Sequence, residues 1–149
     1  MYKIDDIMNM LDCNNNIEIQ EKGIDLAKEV KCIKVFIFPK HERCYKNVWE
    51  NCAKILSNKS DEIIYPYIRD MLEWIKDDNI PGATIILERL KKMSEPKWIS
   101  NYIIDDVKIA KARSDYKWLM NLSKLLDSGS IRQNLSIETI DMLKKYQHN

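Results

Sequence analysis

Cys32, His41, Cys44 and Cys52 supply four possible metal ligands in this 149-residue chain, whose fourth cysteine is Cys13. His41-x-x-Cys44 has the spacing of half a tetrahedral zinc site. Cys32 and Cys52 stand too far from it to supply the second short pair that zinc signatures carry. Cys52 also shares an apolar stripe with Val48, Trp49, Ile55 and Leu56, where a thiol packs as a small hydrophobe. A nucleophilic Cys or Ser needs a histidine base, and the chain has 2 histidines. His148 sits beside the carboxyl terminus, where fraying is expected. His41, between Lys40, Glu42 and Arg43, reads as a solvated loop residue. The expectation is a non-enzyme with no catalytic set, no cofactor and no metal. A hydrolase built on His41 and the nearby cysteines is the weakest rival.

Carboxylates are abundant, in the pairs Asp5-Asp6, Asp61-Glu62, Asp77-Asp78 and Asp105-Asp106. Acid–base work would require some of them to converge in a cleft with displaced pKa values, which spacing alone does not establish. Asp70, Glu73 and Asp77 fall at i, i+3 and i+7 on one side of a predicted helix, beside Asp78. Such a stripe is either a solvated face or a partner site. These four residues are the candidate partner-binding set.

Other chemistries find less support. Gly23, Gly82 and Gly129 are isolated, so no phosphate-cradling loop is present. Lys+Arg 24 against Asp+Glu 23 leaves a net charge of +1, without the basic excess of a dedicated nucleic-acid binder. Lys91-Lys92 and Lys144-Lys145 are short and far apart. Trp49, Trp74, Trp98 and Trp118 each lie in or beside a helical apolar pattern, which suits packing better than base stacking. The amino terminus carries acids where a signal peptide needs a basic region, and no run approaches a membrane span. The cysteines then read as reduced thiols and the protein as cytoplasmic.

The elements that would position these residues are helical. Few Gly (3) and Pro (4), with Ile almost alone among β-branched residues, favour helix. Apolar residues recur with a 3.6-residue period: Ile4, Ile7, Met8 and Leu11; then Ile17, Gln20, Ile24 and Ala27 after an Asn16 cap, with Gly23 permitting a close neighbour. Residues 32–38 predict a short buried helix, with a strand as competitor, ended by Pro39. Val48, Trp49, Cys52, Ile55 and Leu56 mark a clear helix. Ser60 is placed to cap the next one, carrying Ile64, Ile68, Met71, Leu72 and Ile75, and Pro66 must either start or kink it. Asn79 suits a left-handed cap, and Pro81 the first turn of a helix with Ala83, Ile86, Leu87 and Leu90. Ile99, Tyr102, Ile103, Val107 and Ala110 form a longer helix, followed by Trp118, Leu119, Leu122, Leu125 and Leu126. Asp127 to Ser130 is the most linker-like stretch, and Ser136 begins a last helix with Ile137, Ile140 and Leu143.

The fold class expected is all-α: a single domain over 1–149 of about eight or nine helices, stacked as irregular antiparallel hairpins in a solenoid or compact bundle. No strict repeat is visible.

Trp74-Ile75-Lys76-Asp77-Asp78-Asn79-Ile80-Pro81-Gly82-Ala83, with Asn47-Val48-Trp49-Glu50-Asn51-Cys52-Ala53, Ser60-Asp61-Glu62 and Asp115-x-x-Trp118, resembles a bacterial family of unknown function, DUF5071. These pieces span 47–126, leaving 130–149 as a helical extension. Ile80 stands where an aromatic is expected. The resemblance implies a HEAT-like helical protein, related to immunity proteins of bacterial toxin systems, and carries over no catalytic residue. The resulting expectation is a non-enzymatic protein-binding module, with toxin immunity as its specific form. A HEAT-like binder of DNA lesions is the alternative; otherwise nucleic acid and membrane are not expected partners.

Overall fold

The computed structural model describes residues 2–40 and 46–147. His41, Cys44 and His148 lie outside the described residues, and with them the His41-x-x-Cys44 pair. The elements in chain order are α1 (Ile4–Met10), α2 (Ile17–Ala27), a 3-10 turn (Ile33–Phe36), α3 (Lys46–Ser57), α4 (Asp61–Ile64), a 3-10 step (Tyr65–Tyr67) and α5 (Ile68–Trp74). They continue with α6 (Ala83–Lys91), α7 (Lys97–Ala112), α8 (Tyr116–Ser123), a 3-10 turn (Lys124–Asp127), α9 (Gly129–Gln133) and α10 (Ile137–Lys144). Among the described residues there is no strand, and the chain is all-α as expected.

Helix starts follow the capping chemistry. The side chains of Asn16, Asp115, Ser128 and Ser136 accept the N–H three residues on, satisfying donors that a helix start leaves open. Ser60 is at its expected position but makes no side-chain cap; Asp61 beside it reaches across to α6 instead. Pro66 produces the kink. Because the ring removes an N–H and crowds the preceding turn, the helix passes through the 3-10 step between α4 and α5. The stretch expected to be a linker after Asp127 is instead α9, begun by Ser128.

Alternate helices run side by side in the same direction. In α2 and α3, Asn51 donates to Gln20 (2.9 Å), and further along Lys59 Nζ donates to the Lys28 carbonyl (3.3 Å). For α3 and α6, Gly82 abuts Ala53 at one end while Arg89 reaches the Lys59 carbonyl at the other. α5 and α7 match in the same sense, with Tyr65 beside Trp98 and Arg69 beside Tyr102. Between α3 and α6 the chain returns through α4 and α5, and between α5 and α7 it returns through α6. One continuous core links them, from Ile7 and Leu11 through Cys52, Trp74, Ile86 and Ile103 to Leu143.

Three sequence expectations need correction. Ile17 and Ile137, assigned to buried stripes, are 65% and 77% exposed. Both are the first residue after an N-cap, and since Cα–Cβ bonds tilt toward a helix's N-terminus they project past the end of the element. The buried segment at 32–38 is a single 3-10 turn, not an α-helix, although Ile33 and Phe36 are buried as expected. Asn79 does not take the left-handed cap: Gly82 does, at φ +86°, and a Cβ there would lie 2.8 Å from Ala53 Cβ and 3.0 Å from the Trp49 carbonyl. Only glycine meets both demands. Trp74 Nε1 donates to the Pro81 carbonyl at 3.0 Å and pins the same corner.

Candidate functional site

The acidic set divides between two elements. Asp70 and Glu73 lie on α5, but that helix ends at Trp74, so Asp77 and Asp78 belong to the following turn and do not continue the helical stripe. Asp77 Oδ1 accepts the Asn79 N–H (2.9 Å), a local turn contact. That bond, together with Lys117, holds its carboxyl below the usual aspartate range. Glu73 pairs with Lys40 at 3.3 Å and lies 3.9 Å from Lys76; Asp77 pairs with Lys117 at 3.3 Å, and Asp78 with Lys124 at 3.2 Å. Asp70 is exposed. What looked like an acidic stripe is a surface of alternating sign, its lysines supplied by residues 33 to 46 positions away.

Beside it runs the seam between α5 and α7. Tyr65, Arg69, Glu73 and Lys76 recur at three- to four-residue spacing on one side, and Trp98, Tyr102 and Asp105-Asp106 on the other. The rings of Tyr65 and Trp98 are 4.6 Å apart at 49°. The Arg69 guanidinium lies 4.9 Å from the Tyr102 ring centre and 3.8 Å from Asp105. Lys76 Nζ sits 4.6 Å over the Trp118 ring, whose Nε1 donates to the Leu72 carbonyl at 3.2 Å. Cations on aromatic faces are favoured by the ring quadrupole, so each of these two cations has both a ring and a carboxylate.

Asp106 is the outlier in this seam. It lies on the buried side of α7 with Ile103, Val107 and Ala110, and is only 3% exposed. Its Oδ2 has no hydrogen-bond partner among the described residues. Burial pushes its carboxyl up to about 6, with Asp105 and Glu73 adding to the rise and Arg69 and Lys76 opposing it. In the sequence Asp105-Asp106 stands out only as a pair of acids. The usable signal was an acid in register with the apolar stripe at 103, 107 and 110.

Of the cysteines, Cys13 and Cys32 are exposed and Cys52 is buried within α3. Burial pushes the Cys52 thiol up to about 12, which leaves it protonated and a poor nucleophile. Among the described residues, no three His, Cys, Asp or Glu side chains converge to hold a metal ion. No helix among them is long and apolar enough to cross a membrane.

The family described as Domain of unknown function (DUF5071) matches residues 46–146, from the first residue of α3 to just past α10. The chain belongs to the DUF5071 family. The matched span takes in α9 and α10 as well as the segment carrying the motifs, so within DUF5071 the last helices are part of the shared unit. Within the matched span, the segment Trp74 to Ala83 is the corner locked by Gly82 and by the Trp74 indole. No curated protein and no solved structure matches the chain.

Proposed function

We propose that this DUF5071 protein is a non-enzymatic protein-binding module whose partner docks across α5, the turn at 77–79 and the adjoining edge of α7. Neutralisation of a bacterial toxin is the specific form we favour. The observation that carries the reading is the mixed-charge surface of Asp70, Glu73, Asp77 and Asp78 with Lys40, Lys117 and Lys124, bordered by Tyr65, Trp98 and Tyr102. Tyr, Trp and Arg are the residues enriched at interface centres, and Asp, Glu and Lys belong to the polar rim around them. Alternating sign adds selectivity, since a wrong partner brings like charges together. The protonated, buried Cys52 supports a binding role over nucleophilic chemistry.

The nucleic-acid alternative draws less support. Trp49, Trp74 and Trp118 are buried and donate their indole N–H groups to the carbonyls of Pro39, Pro81 and Leu72, which withholds them from base stacking.

The test is titration of the purified protein against the product of the gene adjacent to its own. Triple charge reversal at Asp70, Asp77 and Asp78 is expected to weaken the complex by roughly tenfold or more. Undiminished affinity would remove this face as the docking site.

A further inference from the structure

In the seam between α5 and α7, Glu73 is paired with Lys40 and approached by Lys76, and Asp105 is paired with Arg69, while Asp106 has no ion-pair partner among the described residues. Arg69 is engaged with Asp105 and the Tyr102 ring; Lys76 is placed between Glu73 and the Trp118 ring. Both act on Asp106 through space, and neither donates a hydrogen bond to it. Asp106, one turn beyond Tyr102 on α7, therefore keeps an almost fully buried acceptor oxygen with no donor among the described residues. A buried carboxylate oxygen left unbonded is costly, and a charged donor relieves that cost best. The charges that act on it from α5 and the turn after it are carried by the long side chains of Arg69, Glu73 and Lys76, which move without disturbing the backbone.

We propose that this seam reads an arginine side chain of the protein partner: the incoming guanidinium bonds Asp106 Oδ2 and takes over Tyr102 and Asp105 from Arg69. Arginine fits where lysine does not. Its planar fork bonds two carboxylates while lying flat on a ring, and Arg69 already shows that a guanidinium is accepted by both Tyr102 and Asp105. Arg69 is then an internal competitor for the seat. The inference rests on the protein-binding reading and names the partner group recognised beside the charged face.

The test uses the full chain and three blocked tripeptides, Gly-Arg-Gly, Gly-Lys-Gly and Gly-Gln-Gly, followed by NMR at the indole N–H of Trp118 and the ring of Tyr102. Saturable shifts are expected with the arginine peptide at concentrations up to roughly 10 mM, several-fold weaker ones with lysine, and none with glutamine. Asp106→Asn is expected to weaken arginine-peptide binding roughly tenfold, and Arg69→Gln to strengthen it several-fold by vacating the seat. Arg69→Gln is at an exposed position and serves if Asp106→Asn fails to fold. Absence of saturable shifts, equal response to all three peptides, or weaker binding in Arg69→Gln would each overturn the proposal. If the arginine peptide does not bind but charge reversal at Asp77 and Asp78 still weakens the partner complex, the arginine site falls and the docking face stands.

Discussion

The guanidinium of Arg89 on α6 is bonded to the carboxylate of Asp61 at the start of α4, with the two side chains only 8% and 12% exposed. Arg89 also donates to the Lys59 carbonyl (2.9 Å), and Asp61 accepts the N–H and hydroxyl of Ser94. Burial alone would raise the Asp61 carboxyl, but the Ser94 and Arg89 donors overcome it and hold it below the usual aspartate range. Arg89 and Ser94 together thus tie the α3–α4 turn to the end of α6 and to the loop that follows it. Removing a single partner strands a charge in poor solvation, so Arg89→Met or Asp61→Asn is expected to cost about 3–5 kcal/mol. Urea unfolding of both single variants and the double variant measures it, and the double should cost clearly less than the sum.

Gly82 and Gly129 offer a matched comparison. At Gly82 an alanine meets a left-handed backbone and a contact of 3.0 Å with the Trp49 carbonyl, which is backbone and does not yield. Gly82→Ala is expected to destabilise by about 2–4 kcal/mol. At Gly129 nothing lies within 4 Å of the added Cβ. There the lost chain freedom of the unfolded state dominates, and Gly129→Ala is expected to raise stability by about 0.5–1 kcal/mol. Thermal melts of both variants read the opposite signs directly.

Asn121, on α8, is 1% exposed, and neither its amide nitrogen nor its oxygen has a partner among the described residues. Asn121→Leu replaces two unsatisfied polar atoms with an apolar group of similar shape. A gain of about 1–3 kcal/mol is expected in chemical denaturation.

Asp106 sets a pH dependence of unusual sign. Its carboxyl titrates near 6 in the folded chain against 3.8 ordinarily, so between those values the folded form binds a proton that the unfolded form does not. Stability contributed by this group therefore rises as pH falls from above 6 to about 4, by at most about 3 kcal/mol. Asp61 acts oppositely: its contribution is present at neutral pH and lost below the usual aspartate range. Wild-type stability should pass through a maximum in mildly acidic buffer. In Asp106→Asn the arm between pH 4 and 6 should flatten, as unfolding curves at several pH values would show.

Val48, Trp49, Cys52, Ile55 and Leu56 were readable as one buried face because burial repeats with the helix period, and all five are buried. The cap at Asn16 and the helix start at Ser136 were readable because capping is local chemistry over three residues, whereas the Asp115 cap was not singled out. The lysines that neutralise Glu73, Asp77 and Asp78 were not, since their distances depend on which hairpins stack. Arg89 was hidden for the same reason: its partner lies 28 residues earlier, beyond any helical period. Ile17 and Ile137 show the limit of the periodic argument. It identifies the face of a helix but not where the neighbouring helix stops.

Phe38 lies 4.6 Å from Trp49 and stacks at 5.0 Å on Trp74, while the Pro39 carbonyl receives the Trp49 indole N–H and Lys40 pairs with Glu73. Phe38, Pro39 and Lys40 precede the boundary at which the shared family unit begins, and Trp49, Glu73 and Trp74 follow it. A fragment trimmed to that unit would lose the ring packed on both indoles and the Pro39 carbonyl that the Trp49 indole bonds, so the leading segment acts as a clasp over Trp49 and Trp74.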